Sequence, residues 1–172
     1  MKKLLILAGP VAAALLFCGG APCQQRAGEE FTSDECGFKV WFPDKPVVKK
    51  ETDPSGFPIT HKFQVDVGEE KSLMVCLIEN DKPYEADAAI KKLREIYAGK
   101  KWKITGESKV TVGGRPGTSI TLIPADGLVM TVRHCFVKNR HYQVLASATK
   151  ERVQDADLRK FLGSFKLLEE KK

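Results

Sequence analysis

The sequence lacks the short cysteine and histidine spacings that identify metal and redox centres. Its 172 residues include five cysteines and three histidines, yet they form no Cys-x-x-Cys and no His-x-x-x-His spacing. His134 lies beside Cys135, but neighbouring residues of a strand point to opposite faces and cannot readily bind one ion. We therefore expect no metal, no cofactor and no catalytic residue that the sequence alone can assign.

Long apolar runs, internal repeats and strong net charge are also missing. After residue 23 no apolar stretch approaches the length that crosses a bilayer. Without Lys2 and Lys3 the 28 basic residues fall to 26, against 22 acidic ones. These basic residues are spread out, mostly with Glu or Asp nearby, as on a solvated surface of mixed charge. We expect no nucleic-acid partner, and membrane contact only through a lipid anchor.

The first 23 residues have the pattern of an export signal. The basic segment Met1-Lys2-Lys3 precedes an apolar run, Leu4–Phe17, which is too short for a stable membrane span. The sequence therefore predicts a signal peptide over residues 1–23. It also predicts an exported protein that is periplasmic or extracellular.

The cleavage site has two interpretations that the sequence leaves open. Cys18 directly follows the apolar run, where a lipoprotein cysteine would lie, but Phe17 is bulkier than the usual preceding residue. Cys23 follows Pro22, which is equally unusual before a lipidated cysteine. Ordinary signal-peptide cleavage after Cys23 needs small residues at the last and third-last positions of the signal peptide. Cys23 and Ala21 meet this need. Soluble export is favoured by a small margin over lipidation of Cys18 or Cys23.

The rest of the chain is predicted to form one domain with short flexible ends. Residues 24–30 are polar and small, which is typical of a flexible tether. A single domain is expected over residues 31–168, and residues 169–172 form a charged tail.

Three consecutive segments with a period of two organise this domain. They are Arg115–Ile123, Leu128–Val137 and His141–Thr149, and tight turns join them. Lys138-Asn139 or Asn139-Arg140 supplies the second turn. Because the alternation gives one apolar face, we expect a sheet that needs a cover on that face only.

The other segments complete an α+β pattern of strands and two helices. A helix is predicted over Glu85–Ala98 with Gly99 just past its end, and a second helix starts at Gln154 or Asp155 and ends at Gly163. Further strands are predicted at Phe38–Phe42, Val47–Thr52, Phe57–Val67, Leu73–Ile78, Trp102–Val112 and Phe165–Leu168. The predicted fold is one mainly antiparallel sheet of about six to seven strands, covered by two helices.

Several short motifs resemble those of a known fold. They are Phe-x-Val-x-Phe-Pro at residues 38–43, Gly-Arg-Pro-Gly at 114–117, Asn-Arg-x-Tyr at 139–142 and Phe-Leu-x-Ser-Phe-Lys-Leu at 161–167. Over residues 31–168 the chain resembles uncharacterised exported bacterial proteins with the PsbP-like fold. The photosystem II extrinsic protein PsbP and a Ran-binding nuclear-import factor share that fold. The resemblance implies a domain that binds partners without obvious catalysis, and it assigns no functional residues here.

The cysteines offer a structural interpretation as well as a chemical one. In an oxidising compartment Cys36, in a loop, could form a disulfide with Cys76 or with Cys135. Alternatively, Cys76 and Cys135 are small buried apolar residues inside strands, and we favour this for at least one of them.

Two functional classes remain. The first is an exported, non-catalytic binding or accessory module for an unknown protein or small molecule, acting through a surface or through the groove between helix and sheet. The alternative is a small exported hydrolase or redox enzyme that uses an unpaired cysteine with His61 or His134. The missing catalytic signature favours the binding module.

Overall fold

The structure, a computed structural model, describes residues 28–52, 58–125 and 127–169. The predicted signal peptide with Cys18 and Cys23, and residues 24–27 of the predicted tether, lie outside this range. Within it the chain forms two helices and ten strands, an α+β fold as predicted. The helices are α1 (Ala86–Gly99) and α2 (Ala156–Ser164), and the strands are β1 (Glu29–Ser33), β2 (Phe38–Phe42), β3 (Val47–Thr52), β4 (Pro58–Val67), β5 (Lys71–Glu79), β6 (Lys103–Val112), β7 (Arg115–Ile123), β8 (Val129–Val137), β9 (Arg140–Ala148) and β10 (Lys166–Leu167).

Seven of the strands form one antiparallel sheet in the order β3-β4-β5-β9-β8-β7-β6. The three strands predicted to organise the domain are β7, β8 and β9, each within one residue of its predicted bounds. Val137 pairs with Arg140, so Lys138-Asn139 forms the turn between β8 and β9. Lys138 adopts the left-handed conformation that this turn needs, with φ of 55°.

A second, three-stranded sheet, in the order β1-β2-β10, was not predicted. Its first strand begins at Glu29, where a flexible tether through Glu30 was expected, so the tether prediction is wrong at its C-terminal end. Glu29 pairs with Phe42 and Glu30 with Trp41. The polar pair Glu29-Glu30 gives no strand signal of its own, and only the pairing with β2 makes this segment a strand.

Both faces of the large sheet are covered, which corrects the expectation of a single covered face. On one face β2 and α2 pack over the sheet and enclose an aromatic cluster. The Phe38 and Phe63 rings lie 5.0 Å apart, edge to face, and the Phe42 and Phe161 rings are also 5.0 Å apart. Tyr142, from the central strand β9, lies below them, and its hydroxyl donates to the Cys36 carbonyl oxygen at 2.9 Å.

The second face is covered only in part, by α1. Ile90, Leu93 and Tyr97 are the buried residues of this helix. They pack with apolar residues of β7, β8 and β9, including Ile120, Val132 and Leu145. Arg94 also forms an ion pair with Glu107 of β6, whereas the pair of Asp87 with Lys109 is exposed and contributes little. Because α1 packs over β7, β8 and β9, the sheet face over β4 and β3 and at Met74 of β5 stays open.

Both helices include the glycine that was expected to end them. The left-handed residue after α1 is Lys101, with φ of 58°, and not Gly99. In α2, Gly163 lies inside the helix, which runs to Ser164. The Ser164 hydroxyl donates to the Phe161 carbonyl oxygen at 2.9 Å, and Arg133 donates to that of Leu162 at 2.8 Å. These bonds satisfy carbonyl groups in the last turn, so the helix needs no glycine stop.

No helix among the described residues is long and apolar enough to span a membrane.

Candidate functional site

The three described cysteines are buried and lie on two faces of the large sheet. Cys36 and Cys135 belong to the cluster beneath β2 and α2, and both are free thiols. Cys76 lies on the other face, where it lines a groove beside α1. The sheet therefore separates Cys36 from Cys76, and the two form no bridge in this structure. Cys36 and Cys135 share one cluster but form no disulfide in this structure.

Burial also makes two of these thiols poor nucleophiles. It raises the pKa of Cys36, although the Ser33 side chain partly offsets the shift. It raises the pKa of Cys135 to about 11. Because the thiolate is the reactive form, both side chains stay protonated and unreactive at neutral pH. The alternative hypothesis of an enzyme that uses an unpaired cysteine with a histidine gains no support from Cys36 or Cys135.

The structure brings two histidines, His134 and His141, together under α1. The Nδ1 atom of His134 lies 3.0 Å from Nε2 of His141, and the Tyr97 hydroxyl lies 3.4 Å from Nε2 of His134. Phe136 pairs with His141, so His134 and His141 are diagonal neighbours on one face. The two-residue turn after Val137 fixes this register, and an explicit pairing of the two strands would have found the contact.

Burial keeps this pair of imidazoles neutral. It lowers the pKa of His134 to about 4, although the Glu107 carboxylate opposes the shift. It lowers the pKa of His141 well below the usual value, and the neighbouring His134 adds to the effect. Two neutral imidazoles can each donate and accept one hydrogen bond, which suits a structural pair in an apolar layer.

The remaining histidine, His61, lies on the other face of the sheet. Its ring stacks on Phe63, with centroids 6.4 Å apart, and its Nε2 is 3.8 Å from a Glu35 carboxylate oxygen. It therefore does not join the pair formed by His134 and His141. Among the described residues, no group of three histidine, cysteine or acidic side chains could hold a metal ion.

The open half of the second face contains an apolar groove beside the C-terminal half of α1. We call it the α1 groove, and its cavity volume is about 170 Å³. Its lining residues are Met74, Cys76, Ile78, Leu93, Ile96, Tyr97, Lys100, Trp102, Met130, Val132, Gln143 and Leu145. Met74, Met130 and Trp102 are only half-buried. The wall and floor of the groove that contact solvent are therefore apolar.

Strand register explains the composition of the groove floor. Met74 pairs with Leu145, which pairs with Val132, so three apolar side chains form a row across β5, β9 and β8. The adjacent row contains Cys76 and Gln143. Gln143 is the polar side chain on the floor, and Lys100 is the charged residue of the lining.

A polar cleft continues the same face beyond β5. Its volume is about 350 Å³, and it is lined by Asp44, Lys45, Val47, Lys49, Lys62, Gln64, Val65 and Asp66. Gln64 pairs with Met74, and Lys62 pairs with Cys76. The α1 groove and this polar cleft are therefore neighbours on one surface, which we call the open face.

The two edges of the large sheet are less suited to docking than the open face. On β3, Lys49 and Lys50 are exposed, and a register shift interrupts the pairing between Lys49 and Glu51. On β6 a similar shift lies between Ile104 and Gly106. Lysines and bulges are devices that protect edge strands from adding a further strand. The open face remains as the candidate binding surface of the described domain.

Comparison with known proteins identifies the fold. No family model matches the chain, and no curated protein sequence matches it. The solution structure of cyanobacterial PsbP (CyanoP) from Synechocystis sp. PCC 6803 matches with a TM-score of 0.60 and 11% sequence identity. The match covers 87% of this chain and 96% of that one. The chain therefore has the PsbP-like fold expected from its motifs.

Proposed function

We propose that this protein is an exported, non-catalytic binding module that holds an apolar group of its partner in the α1 groove. The observation that carries the proposal is the groove itself: half-exposed Met74, Met130 and Trp102 around a cavity of about 170 Å³. Buried apolar pockets with a few polar groups are the usual form of binding sites. Export is proposed from the basic start and the apolar run of residues 1–23.

The size of the groove indicates what can enter it. An apolar cavity of roughly 150 Å³ can hold benzene, whereas drug-sized ligands use pockets of roughly 300–1,000 Å³. A volume of about 170 Å³ therefore suits one large side chain or one small ring. This size favours an anchor residue of a partner protein over a large metabolite.

The proposal also accounts for the chemistry of the surrounding residues. Tyr97 forms part of the groove wall and contacts His134 behind it. Burial raises the pKa of Tyr97 and lowers the pKa of His134, so both groups stay neutral at physiological pH. Neutral, mutually bonded side chains stabilise the wall and supply no activated base.

A titration with a small aromatic probe tests the proposal. Indole is added to the isotope-labelled protein, and backbone amide shifts are followed by NMR. We expect saturable shifts at residues that line the groove, such as Met74, Trp102 and Met130. Met74→Lys should abolish them because it places a charge on the apolar floor, and Ile104→Lys, at an exposed site on β6, should leave them unchanged. Shifts that are absent, or equal in both variants, would refute the proposal.

A further inference from the structure

A row of four rings joins α1 to the sheet. Its members are Tyr84, His141, His134 and Tyr97, and the centroids of successive rings are 5.6, 5.2 and 6.5 Å apart. Tyr84 belongs to the segment that enters α1, and Tyr97 lies in the last turn of the helix. The two histidines belong to β8 and β9 of the sheet. We call this set the ring row, and it connects both ends of α1 to the sheet.

The ring row encloses both imidazoles. His134 and His141 are buried. The Tyr97 hydroxyl lies 3.4 Å from Nε2 of His134, and the Tyr84 ring packs edge to face against His141. The Tyr84 backbone amide donates to the Lys138 carbonyl oxygen at 2.8 Å, which holds the entry segment of α1 over the sheet. Movement of α1 and this segment away from the sheet would therefore expose both histidines to water.

The helix itself is attached to the sheet by a small set of buried side chains. They are Ile90, Leu93 and Tyr97. Glu85, at the N-terminus of α1, makes no side-chain capping hydrogen bond, and no basic residue lies in the last turn. Elements with few buried apolar side chains open at a lower free energy than the central strands of a core. We therefore expect α1 to detach at a lower free energy than the sheet unfolds.

The protonation of the two histidines is linked to this opening. Burial lowers the pKa of His134 to about 4 and lowers the pKa of His141 well below its ordinary value. A histidine that an open α1 exposes to water takes up a proton near its ordinary pKa of about 6.5. Between about pH 6.5 and pH 4 the open state therefore binds more protons than the closed state, so acid favours opening.

The other ionisable groups that face the pair keep their charge state as the pH falls from about 6.5 to 5. Burial raises the pKa of Tyr84 and of Tyr97, so both stay neutral. Arg94 holds the pKa of the Glu107 carboxyl below its usual range, so this carboxylate of β6 stays ionised. Neighbouring sheet residues on the same face include Thr118, Gln143, Cys76 and Ile78. None of these four carries a carboxylate or an amine.

We propose that the pair of His134 and His141 is an acid-sensitive switch: when the imidazoles gain protons, α1 and its entry segment move away from the sheet while the strands stay paired. Leu93, Ile96 and Tyr97 form the helical wall of the α1 groove, so this movement removes the wall and releases an occupant. Only that last step rests on the proposed function. The opening of α1 is a property of the fold and needs no occupant.

Native-state hydrogen exchange tests the switch. The protection factor of each backbone amide compares its exchange with that of an unstructured chain at the same pH. These factors are measured by NMR at about pH 6.5 and about pH 5, in several low concentrations of urea. Exchange through a local opening depends little on urea, whereas exchange through global unfolding depends strongly on it. The amides of α1 are compared with those of the central strand β9.

We expect the α1 amides to be less protected than the β9 amides at both pH values and to respond little to urea. Their protection factors should fall by roughly 200-fold from about pH 6.5 to about pH 5, because each exposed histidine contributes roughly 15-fold over this interval. A fall of less than roughly threefold would overturn the switch. So would α1 amides that share the urea dependence of the β9 amides at the lower pH, because α1 would then open only with the whole domain.

Two variants assign the effect to the imidazoles. His141→Phe leaves one of the two titrating rings, so the fall in protection should shrink to roughly 15-fold. Tyr97→Phe is the matched control, because it removes the hydroxyl beside His134 and keeps both imidazoles. It should lower the protection of α1 at both pH values and leave the fall between them unchanged.

An equal fall in wild type and in His141→Phe would overturn the switch and leave the proposed function standing, because the exchange experiment uses no occupant. Absence of indole binding, together with the expected exchange, would refute the proposed function and leave the switch standing.

Discussion

The imidazoles of His134 and His141 are joined by a contact of 3.0 Å between Nδ1 of the first and Nε2 of the second, beneath α1. His134 is fully buried, and His141 is 4% exposed. Tyr97 extends the contact to the helix. Each neutral ring can donate one hydrogen bond and accept one, and burial makes the charged form of either ring unfavourable. Acid therefore acts against the attachment of α1 to the sheet.

The stability of the domain should decrease as the pH falls from about 6.5 towards 4. The unfolded chain protonates these histidines near their ordinary pKa of 6.5, whereas burial lowers the folded pKa of His134 to about 4 and that of His141 well below 6.5. In that window the unfolded state binds more protons, so the free energy of unfolding falls by about 1.4 kcal/mol per pH unit for each histidine. Urea unfolding at several pH values measures the slope.

A variant separates the histidine pair from other acid-sensitive groups. His141→Phe should reduce the pH dependence of the unfolding free energy by about 1.4 kcal/mol per pH unit, because it removes one histidine whose protonation is disfavoured in the folded state. The new ring can still stack on Phe136. Wild-type protein, measured in the same buffers, is the reference. An identical slope in wild type and His141→Phe would contradict this account.

Two glycines that differ in their surroundings should respond to alanine with opposite signs. A Cβ at Gly117 would lie 2.5 Å from the His134 carbonyl oxygen and 2.7 Å from Cγ2 of Val112. Gly117→Ala should therefore destabilise the domain by about 1–3 kcal/mol. A Cβ at Gly163, inside α2, meets nothing within 4 Å, and Gly163→Ala should stabilise by about 0.5–1 kcal/mol. Thermal and urea unfolding measure the stability of both variants. Equal effects would contradict the close approach of the Gly117 backbone to His134 and Val112.

The buried residues of the two helices should carry much of the stability. Leu93 is 6% exposed and Phe161 is fully buried, with its ring 5.0 Å from that of Phe42. Leu93→Ala should cost about 2–5 kcal/mol and Phe161→Ala about 3–5 kcal/mol of unfolding free energy. Lys92→Ala, on the exposed flank of α1, serves as the control and should change stability by less than about 0.5 kcal/mol. A loss below about 1 kcal/mol at Leu93 or Phe161 would mean that the packing of that helix is wrong.

The described cysteines should resist alkylation until the protein unfolds. Cys36, Cys76 and Cys135 are at most 1% exposed, and burial raises the pKa of Cys36 and Cys135. Iodoacetamide at neutral pH, followed by peptide mass spectrometry, should find these three unmodified in native protein and modified in denaturant. Rapid native labelling of any of them, with an activity lost in its Cys→Ala variant, would support the enzyme alternative.

The parts of the fold that the sequence predicts are those encoded by local pattern. Strands β7 to β9 were predicted to within one residue because each alternates, and because Asn139 marks the turn between β8 and β9. Strand β1 was missed because its residues Glu29-Glu30 are polar. Its pairing with β2 is determined by packing on the core and not by these residues.

The candidate site required tertiary information that composition does not contain. The α1 groove exists because Ile90, Leu93 and Tyr97 pack over β7, β8 and β9, so that the helix ends its cover of the sheet beside Met74 on β5. Helical spacing predicted the apolar stripe of α1 but not the strands that it would lie over. His134 and His141 were each visible in the sequence, and only the register of β8 with β9 brings them into contact.

Strand β2 has a consequence for the order in which the domain can be completed. It pairs with β1 on one edge and with β10 on the other, and the Trp41 amide donates to Ser164 across 123 positions of sequence. In a chain that folds from its N-terminus, Phe38 and Phe42 can pack with Phe31 and Phe63, but they lack the contacts of Phe161 and Phe165 until the end of the chain is in place. During that interval one side of the aromatic cluster stays exposed to chaperones and proteases, and α2 and β10 complete the core last.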